Sequence, residues 1–214
     1  MSVAVVPVKS LAHSKSRLSS DLSRAELEKL SLAMLEDLLG SLLATPALAR
    51  VAVATPDDRV AELARQLGAE ALHGPDPGLK SAIDGAPEKL GLKPQDALLV
   101  VLGDLPDAEP EEIQGLFNAV ANKEGPIAAL APSSDGGTSA LLRKPHGCIP
   151  SCFGAESARR HEEAAQLEGI PLLRIRLPSL DLDLDSIEDL DRFSKSEGRG
   201  LRTRETLSTL GWPK

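Results

Sequence analysis

Ala97-Leu98-Leu99-Val100-Val101-Leu102-Gly103-Asp104-Leu105-Pro106 is the stretch that decides the fold. Its first six residues are apolar without alternation. Such a run needs cover on both faces, the environment of a strand inside a largely parallel sheet. The run ends on Gly103-Asp104. A carboxylate placed directly after an apolar strand is costly unless it is used or paired, although Asp beside Gly and Pro is also common in plain turns.

Similar aliphatic runs occur on either side, at Val3–Pro7, Val51–Ala54, Glu70–Leu72, Ile127–Ala131, Ala140–Leu142 and Leu172–Leu177. Helical patterns fill the intervals. Ser23-Arg24-Ala25-Glu26 has capping-box spacing, and Leu27, Leu30, Met34, Leu35 and Leu38 then form one face. Thr45-Pro46 should end that helical region. Asp57–Gln66 reads as a second helix, with Gly68 as its stop. Pro110 suits the first turn of a third. Ala155–Leu167 is a fourth, and Ser186-Ile187-Glu188-Asp189 opens a fifth. Strand alternating with helix predicts a three-layer α/β fold, a mostly parallel sheet flanked by helices with right-handed crossovers. One domain over 1–214 is expected. The Gly-, Pro- and Cys-rich stretch 133–153 reads as a lid or insertion beside a site.

Composition narrows the function classes. Hydrophobic residues make up 42% of the 214 and aromatics only 2%, so the core must be aliphatic and no stacking platform for single-stranded nucleic acid is available. A net charge of -8 argues against nucleic acid or an acidic membrane as partner. No apolar stretch approaches the ~20 residues that span a bilayer. No basic segment precedes the first apolar run, so a cytoplasmic protein is expected. The pair Cys148 and Cys152 is no disulfide framework, and with His146 it lacks a fourth zinc ligand.

In a sheet of this kind, ligands bind beyond the carboxyl ends of the strands. After the first strand come Lys9, Lys15 and Arg17, three cations that suit a triphosphate if the loop folds them inward and form an exposed basic loop if it does not. After the fourth comes Asp104. After the seventh comes Asp181-Leu182-Asp183-Leu184-Asp185-Ser186, where extended backbone would point Asp183 and Asp185 the same way. Asp104 with Asp183 or Asp185 then offers a magnesium site; the plainer reading of the acids is a solvated turn favouring the next helix N-terminus. Asp135-Gly136-Gly137-Thr138-Ser139 could present backbone N–H groups to an anion, and Phe153-Gly154-Ala155-Glu156-Ser157 opens a helix. Arg160 and His161 on that helix could reach an acidic substrate. Walker A, GxGxxG and Gly-x-Ser-x-Gly motifs are all missing from the sequence.

Taken in order, the motifs resemble the 2-phospho-L-lactate/phosphoenolpyruvate guanylyltransferase family of coenzyme F-420 biosynthesis. The resemblance rests on Val6-Pro7-Val8-Lys9 with Lys15-Ser16-Arg17-Leu18, Met34-Leu35-Glu36-Asp37 and Gly103-Asp104-Leu105-Pro106. It continues through Asp135-Gly136-Gly137-Thr138, Phe153-Gly154 with Ser157 and His161, and Asp183-Leu184-Asp185-Ser186. It implies a Rossmann-like fold of the nucleotide-diphospho-sugar transferase type, related to molybdenum-cofactor guanylyltransferases. It also implies GMP transfer from GTP to a small phosphorylated carboxylic acid. By position, Lys9, Lys15 and Arg17 would hold the GTP phosphates, Asp104, Asp183 and Asp185 would hold Mg2+, and Thr138, Gly154 and Ser157 would bind the acceptor. Lys80 stands where the family usually has an Asn near the nucleotide, and by the resemblance it would add a further phosphate contact there. Two other readings are another nucleotidyltransferase of the same fold, acting on a sugar 1-phosphate or molybdopterin, and a non-catalytic nucleotide-binding regulator. A homodimer is one assembly the sequence leaves open.

Overall fold

A computed structural model of the chain describes residues 1–76 and 78–212. Its strands are β1 (Ser2–Pro7), β2 (Arg50–Thr55), β3 (Glu70–His73), β4 (Ala97–Val101), β5 (Ile127–Pro132), β6 (Thr138–Lys144) and β7 (Leu172–Arg174). They form one sheet in the order β3-β2-β1-β4-β6-β5-β7. Neighbours are parallel except β6, which runs antiparallel to both β4 and β5. Every aliphatic run expected to be a strand is one, although the last stops at Arg174 rather than Leu177. The stretch 133–153 contains β6, a strand in the interior of the sheet.

The helices are α1 (Arg24–Leu43), α2 (Asp58–Gln66), α3 (Leu79–Lys89), α4 (Pro110–Ala121), α5 (Ser157–Leu167), α6 (Ile187–Lys195) and α7 (Leu201–Thr209). The capping box is present at α1: Ser23 N–H donates to Glu26 Oε2 at 2.7 Å and Glu26 N–H donates back to Ser23 Oγ at 3.4 Å. A second box, Ser186 with Asp189, opens α6. Helix α5 starts later than its sequence pattern suggests, because Gly154 (φ +119°) and Glu156 (φ +51°) both lie in left-handed backbone. Helices α3 and α7 are additions to the sequence reading. The first of them runs unbroken through Gly85 and Pro87, and its buried Ile83 and Ala86 hold it against the sheet. No helix among the described residues is long and apolar enough to cross a membrane.

The two-faced character of the strands is visible residue by residue. Ala4, Val6, Leu99 and Val101 pack toward the buried faces of α1 and α4, with Leu38, Leu39, Ile113 and Leu116. Val3, Val5, Leu98 and Val100 pack on the opposite side with Ile83 and Ala86 of α3. A further cluster joins the two ends of the chain: Leu18, Leu27, Leu30 and Met34 meet Leu184, Leu190, Phe193, Leu207 and Trp212. Each large side chain buried there contributes ~1.5–3 kcal/mol. That apolar contact brings the acidic segment after β7 to the basic loop after β1.

Candidate active site

The strand order turns back between β1 and β4, which neighbour each other at the centre of the sheet. Crevices in α/β sheets open at such a point, beyond the strands' carboxyl ends. Here the two strand ends approach closely. A Cβ built on Gly103 would lie 3.1 Å from Val8 Cγ2 and 3.5 Å from Val6 Cγ1, so a glycine lets the loops after β1 and β4 converge.

A cavity of about 400 Å³ lies at this place, a size suited to a small-molecule site. Lys9, Lys15, Arg17, Asp104 and Asp185 line it, together with Thr55, Gly78 and Leu79. Gly78 (φ +81°) immediately precedes α3, so the N-terminal turn of that helix faces the cavity. Unpaired N–H groups in a first helical turn favour an anion. Gly85 and Pro87 mask α3 in the sequence, where Gly78 ahead of apolar Leu79 is the signal that marks its start.

Asp104, Asp183 and Asp185 come together as the sequence suggested. One oxygen from each lies within 4.8 Å of the others. Leu184 N–H donates to the Asp104 carbonyl at 3.3 Å, which ties the segment to the end of β4. Leu184 itself is fully buried in the apolar cluster, which fixes the segment between its two flanking carboxylates. Lys15 lies among the acids. Its Nζ is 2.8 Å from Asp104 Oδ2 and 2.5 Å from Asp185 Oδ1. Burial works against the Lys15 ammonium, but Asp104 and Asp185 more than offset it, so its pKa is raised. Asp183 is pushed up to about 6, first by burial and then by the neighbouring Asp104 and Asp185 charges. Asp104 Oδ1 is buried and has no hydrogen-bond partner among the described residues. Three facing carboxylates, one orphaned oxygen and a single ammonium leave negative charge in excess. An oxygen-only donor set of this kind fits a hard divalent cation.

The other expected residues lie elsewhere. Thr138, Ser157 and His161 are buried together where β6 begins and α5 starts. Ser157 Oγ donates to Thr138 Oγ1 at 3.0 Å. Cys152 N–H donates to His161 Nε2 at 2.9 Å, which leaves the ring proton on Nδ1, 3.1 Å from Thr138 Oγ1. Burial and then the Arg143 charge lower the His161 pKa to about 4, so the ring is neutral. His161 is fully buried, and both of its nitrogens are engaged within the protein. Gly154 belongs to the loop these bonds hold. The network is joined to the cavity by sheet register: Leu102 N–H donates to the Ser139 carbonyl at 3.1 Å, setting Thr138 beside the end of β4. Arg17 also acts electrostatically on Asp135 in the turn before β6. Lys80 is outside the cavity lining; its ammonium pairs with Asp84 one turn along α3. Cys148 and Cys152 are free thiols.

Comparison with known proteins shows the family and the fold. The family model described as "Guanylyl transferase CofC like" matches residues 2–213. A phosphoenolpyruvate guanylyltransferase of Rubrobacter xylanophilus is 38% identical over 202 residues, 94% of this chain and 97% of that protein. A 3-phospho-D-glycerate guanylyltransferase of Phenylobacterium zucineum is 34% identical, covering 98% of this chain and 97% of that one. Among solved structures, a protein of Desulfovibrio desulfuricans G20 named as a proposed nucleotide-diphospho-sugar transferase superposes with a TM-score of 0.77. It is 20% identical, over 98% of this chain and 95% of its own, a likeness of fold. The family model spans nearly the whole chain, and with it the chain belongs to the CofC-like guanylyl transferases, which are nucleotidyltransferase enzymes.

Proposed function

We propose that the chain transfers GMP from GTP to phosphoenolpyruvate and releases pyrophosphate, as a step in coenzyme F-420 formation. The observation that carries this reading is the convergence of Asp104, Asp183 and Asp185 with a lysine- and arginine-bearing loop on one cavity at the sheet's switch point. The names of the Rubrobacter and Phenylobacterium relatives supply the nucleotide and the class of acceptor, a small phosphorylated acid. The higher identity to the former favours phosphoenolpyruvate over 3-phospho-D-glycerate.

In this reading an acceptor phosphate oxygen attacks the α-phosphorus of GTP. A new P–O bond forms, the bond from the α-phosphorus to the bridging oxygen breaks, and pyrophosphate leaves with the electron pair. The nucleophile is already an anion, so no side chain need act as a general base. The protein's task is to bring two polyanions together and to answer the charge at the reacting phosphorus. Lys9 and Arg17 line the cavity and would hold phosphate oxygens, aided by the first turn of α3. Asp104, Asp183 and Asp185 would hold magnesium, which supplies charge neutralisation at the phosphate oxygens when bound. By family position Thr138, Gly154 and Ser157 would frame the acceptor beside the segment 133–153. The Thr138 and Ser157 side chains are buried and bonded to each other, so they would shape that wall rather than reach out to the ligand. His161 positions that group from behind, through its bond to Thr138.

The test is pyrophosphate release measured for GTP, CTP, ATP and UTP, each against phosphoenolpyruvate, 2-phospho-L-lactate and 3-phospho-D-glycerate. GTP with phosphoenolpyruvate should give the highest kcat/KM. Preference for another nucleotide would overturn the donor assignment, and preference for another acid would overturn the acceptor assignment.

A further inference from the structure

Lys15 departs from the other two cations of the loop. Lys9 lines the same cavity and has no ion-pair partner among the described residues. Lys15 instead directs its ammonium to two of the three clustered carboxylates, and its side chain is only 7% exposed. Its backbone is left-handed (φ 52°, ψ 41°), between the short 3-10 turns Leu11–His13 and Ser16–Leu18. A residue with a side chain is held there only by its surroundings.

We propose that Lys15 is a resident counter-ion that changes partners: it occupies the acidic cluster before substrates arrive and moves to nucleotide phosphate as a divalent cation takes its place. This rests on the reading of Asp104, Asp183 and Asp185 as the cation site. The Asp104 and Asp185 oxygens that hold Nζ at 2.8 and 2.5 Å belong to the carboxylates that would face the ion. Magnesium needs carboxylate oxygens at about 2.0–2.1 Å and repels an ammonium held between them. The two cations therefore compete for one set of ligands.

The displaced ammonium has somewhere to go. Lys15 itself lines the cavity with Lys9 and Arg17, and four methylenes let Nζ swing from the acids toward it without moving the backbone. Without nucleotide, that swing would place a third cation among two others. With a triphosphate present, the same swing makes a favourable contact. Cation and nucleotide binding are coupled through one side chain as a result, and the coupling is reciprocal.

Mn2+ binding to the nucleotide-free protein, followed by electron paramagnetic resonance, reads this directly. Lys15→Met should bind Mn2+ at least about tenfold more tightly than the wild type, a usual size for a coupling of this kind. The same variant should bind GTP more weakly in EDTA. If Lys15 serves only as a phosphate ligand, Mn2+ affinity without nucleotide will be unchanged, and that result overturns the proposal. Lys15→Gln repeats the test with a polar side chain should the Met variant fold poorly by circular dichroism. Asp183→Asn in the Lys15→Met background separates the two layers. Loss of Mn2+ there supports the cation site whatever Lys15 does, whereas unchanged Mn2+ binding would remove the site reading itself.

Discussion

Acidification should weaken the fold through one buried ring. The folded His161 pKa lies near 4, against an ordinary value of 6.5. Between those values the unfolded chain binds a proton that the folded chain refuses. Stability is therefore intact above pH 6.5 and is lost as pH falls toward 4. Each pH unit in that window removes about 1.4 kcal/mol, and full passage removes about 3 kcal/mol. For a chain of this size that corresponds to a fall in Tm of about 6–12 °C. Of the groups that face the ring, only the Ser157 backbone favours its charged form, and burial with the neighbouring charges outweighs it. Cys152 N–H already fills Nε2, Arg143 and Arg160 oppose a positive charge, and the Phe153 ring meets it edge-on at 5.0 Å. Asp183 acts in the other direction. Its raised pKa favours the folded state as pH falls from about 6, so a bare melting curve mixes the two groups. The assay is thermal melting in EDTA at several pH values from 7.5 to 4.5, for wild type and His161→Asn. The variant keeps an amide near Nδ1 but cannot titrate, and the difference between the two curves isolates the imidazole. A difference that stays flat between pH 7 and pH 5 would refute the reasoning, as would a nitrogen-15 titration placing the ring near 6.5.

The remaining predictions concern the site and its supports. Asp183→Asn should keep its circular dichroism spectrum and lower kcat by about a hundredfold or more, measured by pyrophosphate release. Gly103→Ala forces a Cβ to 3.1 Å from Val8 Cγ2, so melting should show a loss of about 1–3 kcal/mol, with a higher KM for GTP. Asp37 accepts from Arg202 N–H, Thr203 N–H and Thr203 Oγ at 3.0, 2.8 and 2.7 Å and so caps α7 from α1. Asp37→Ala should cost about 1–2 kcal/mol in denaturant unfolding with little change in turnover at low temperature. Lys80→Ala removes an exposed partner of Asp84, and kcat/KM for GTP should stay within about twofold; a larger drop would return Lys80 to the nucleotide site.

Much of the scaffold was legible in sequence because its signals are local. An unbroken run such as Ala97–Leu102 has no way to hide its apolar surface except between two layers, and capping boxes at Ser23 and Ser186 announce helix starts within four residues. What local pattern leaves out is structure sustained from far away. Helix α7 takes its first-turn partners from Asp37, more than 160 positions earlier, and α3 survives Gly85 and Pro87 because the sheet covers Ile83 and Ala86. The candidate site divides in the same way. Residue types at strand ends marked Lys9, Lys15, Arg17 and the three acids, because charge after an apolar strand is conspicuous. Their partners were not legible. Lys15 bonded to Asp104 and Asp185, His161 closed inside a hydrogen-bonded network, and Lys80 turned to Asp84 are outcomes of packing. Side-chain direction depends on which apolar surfaces meet, and here Leu184 and Phe193 settling against Leu18 and Met34 decided it.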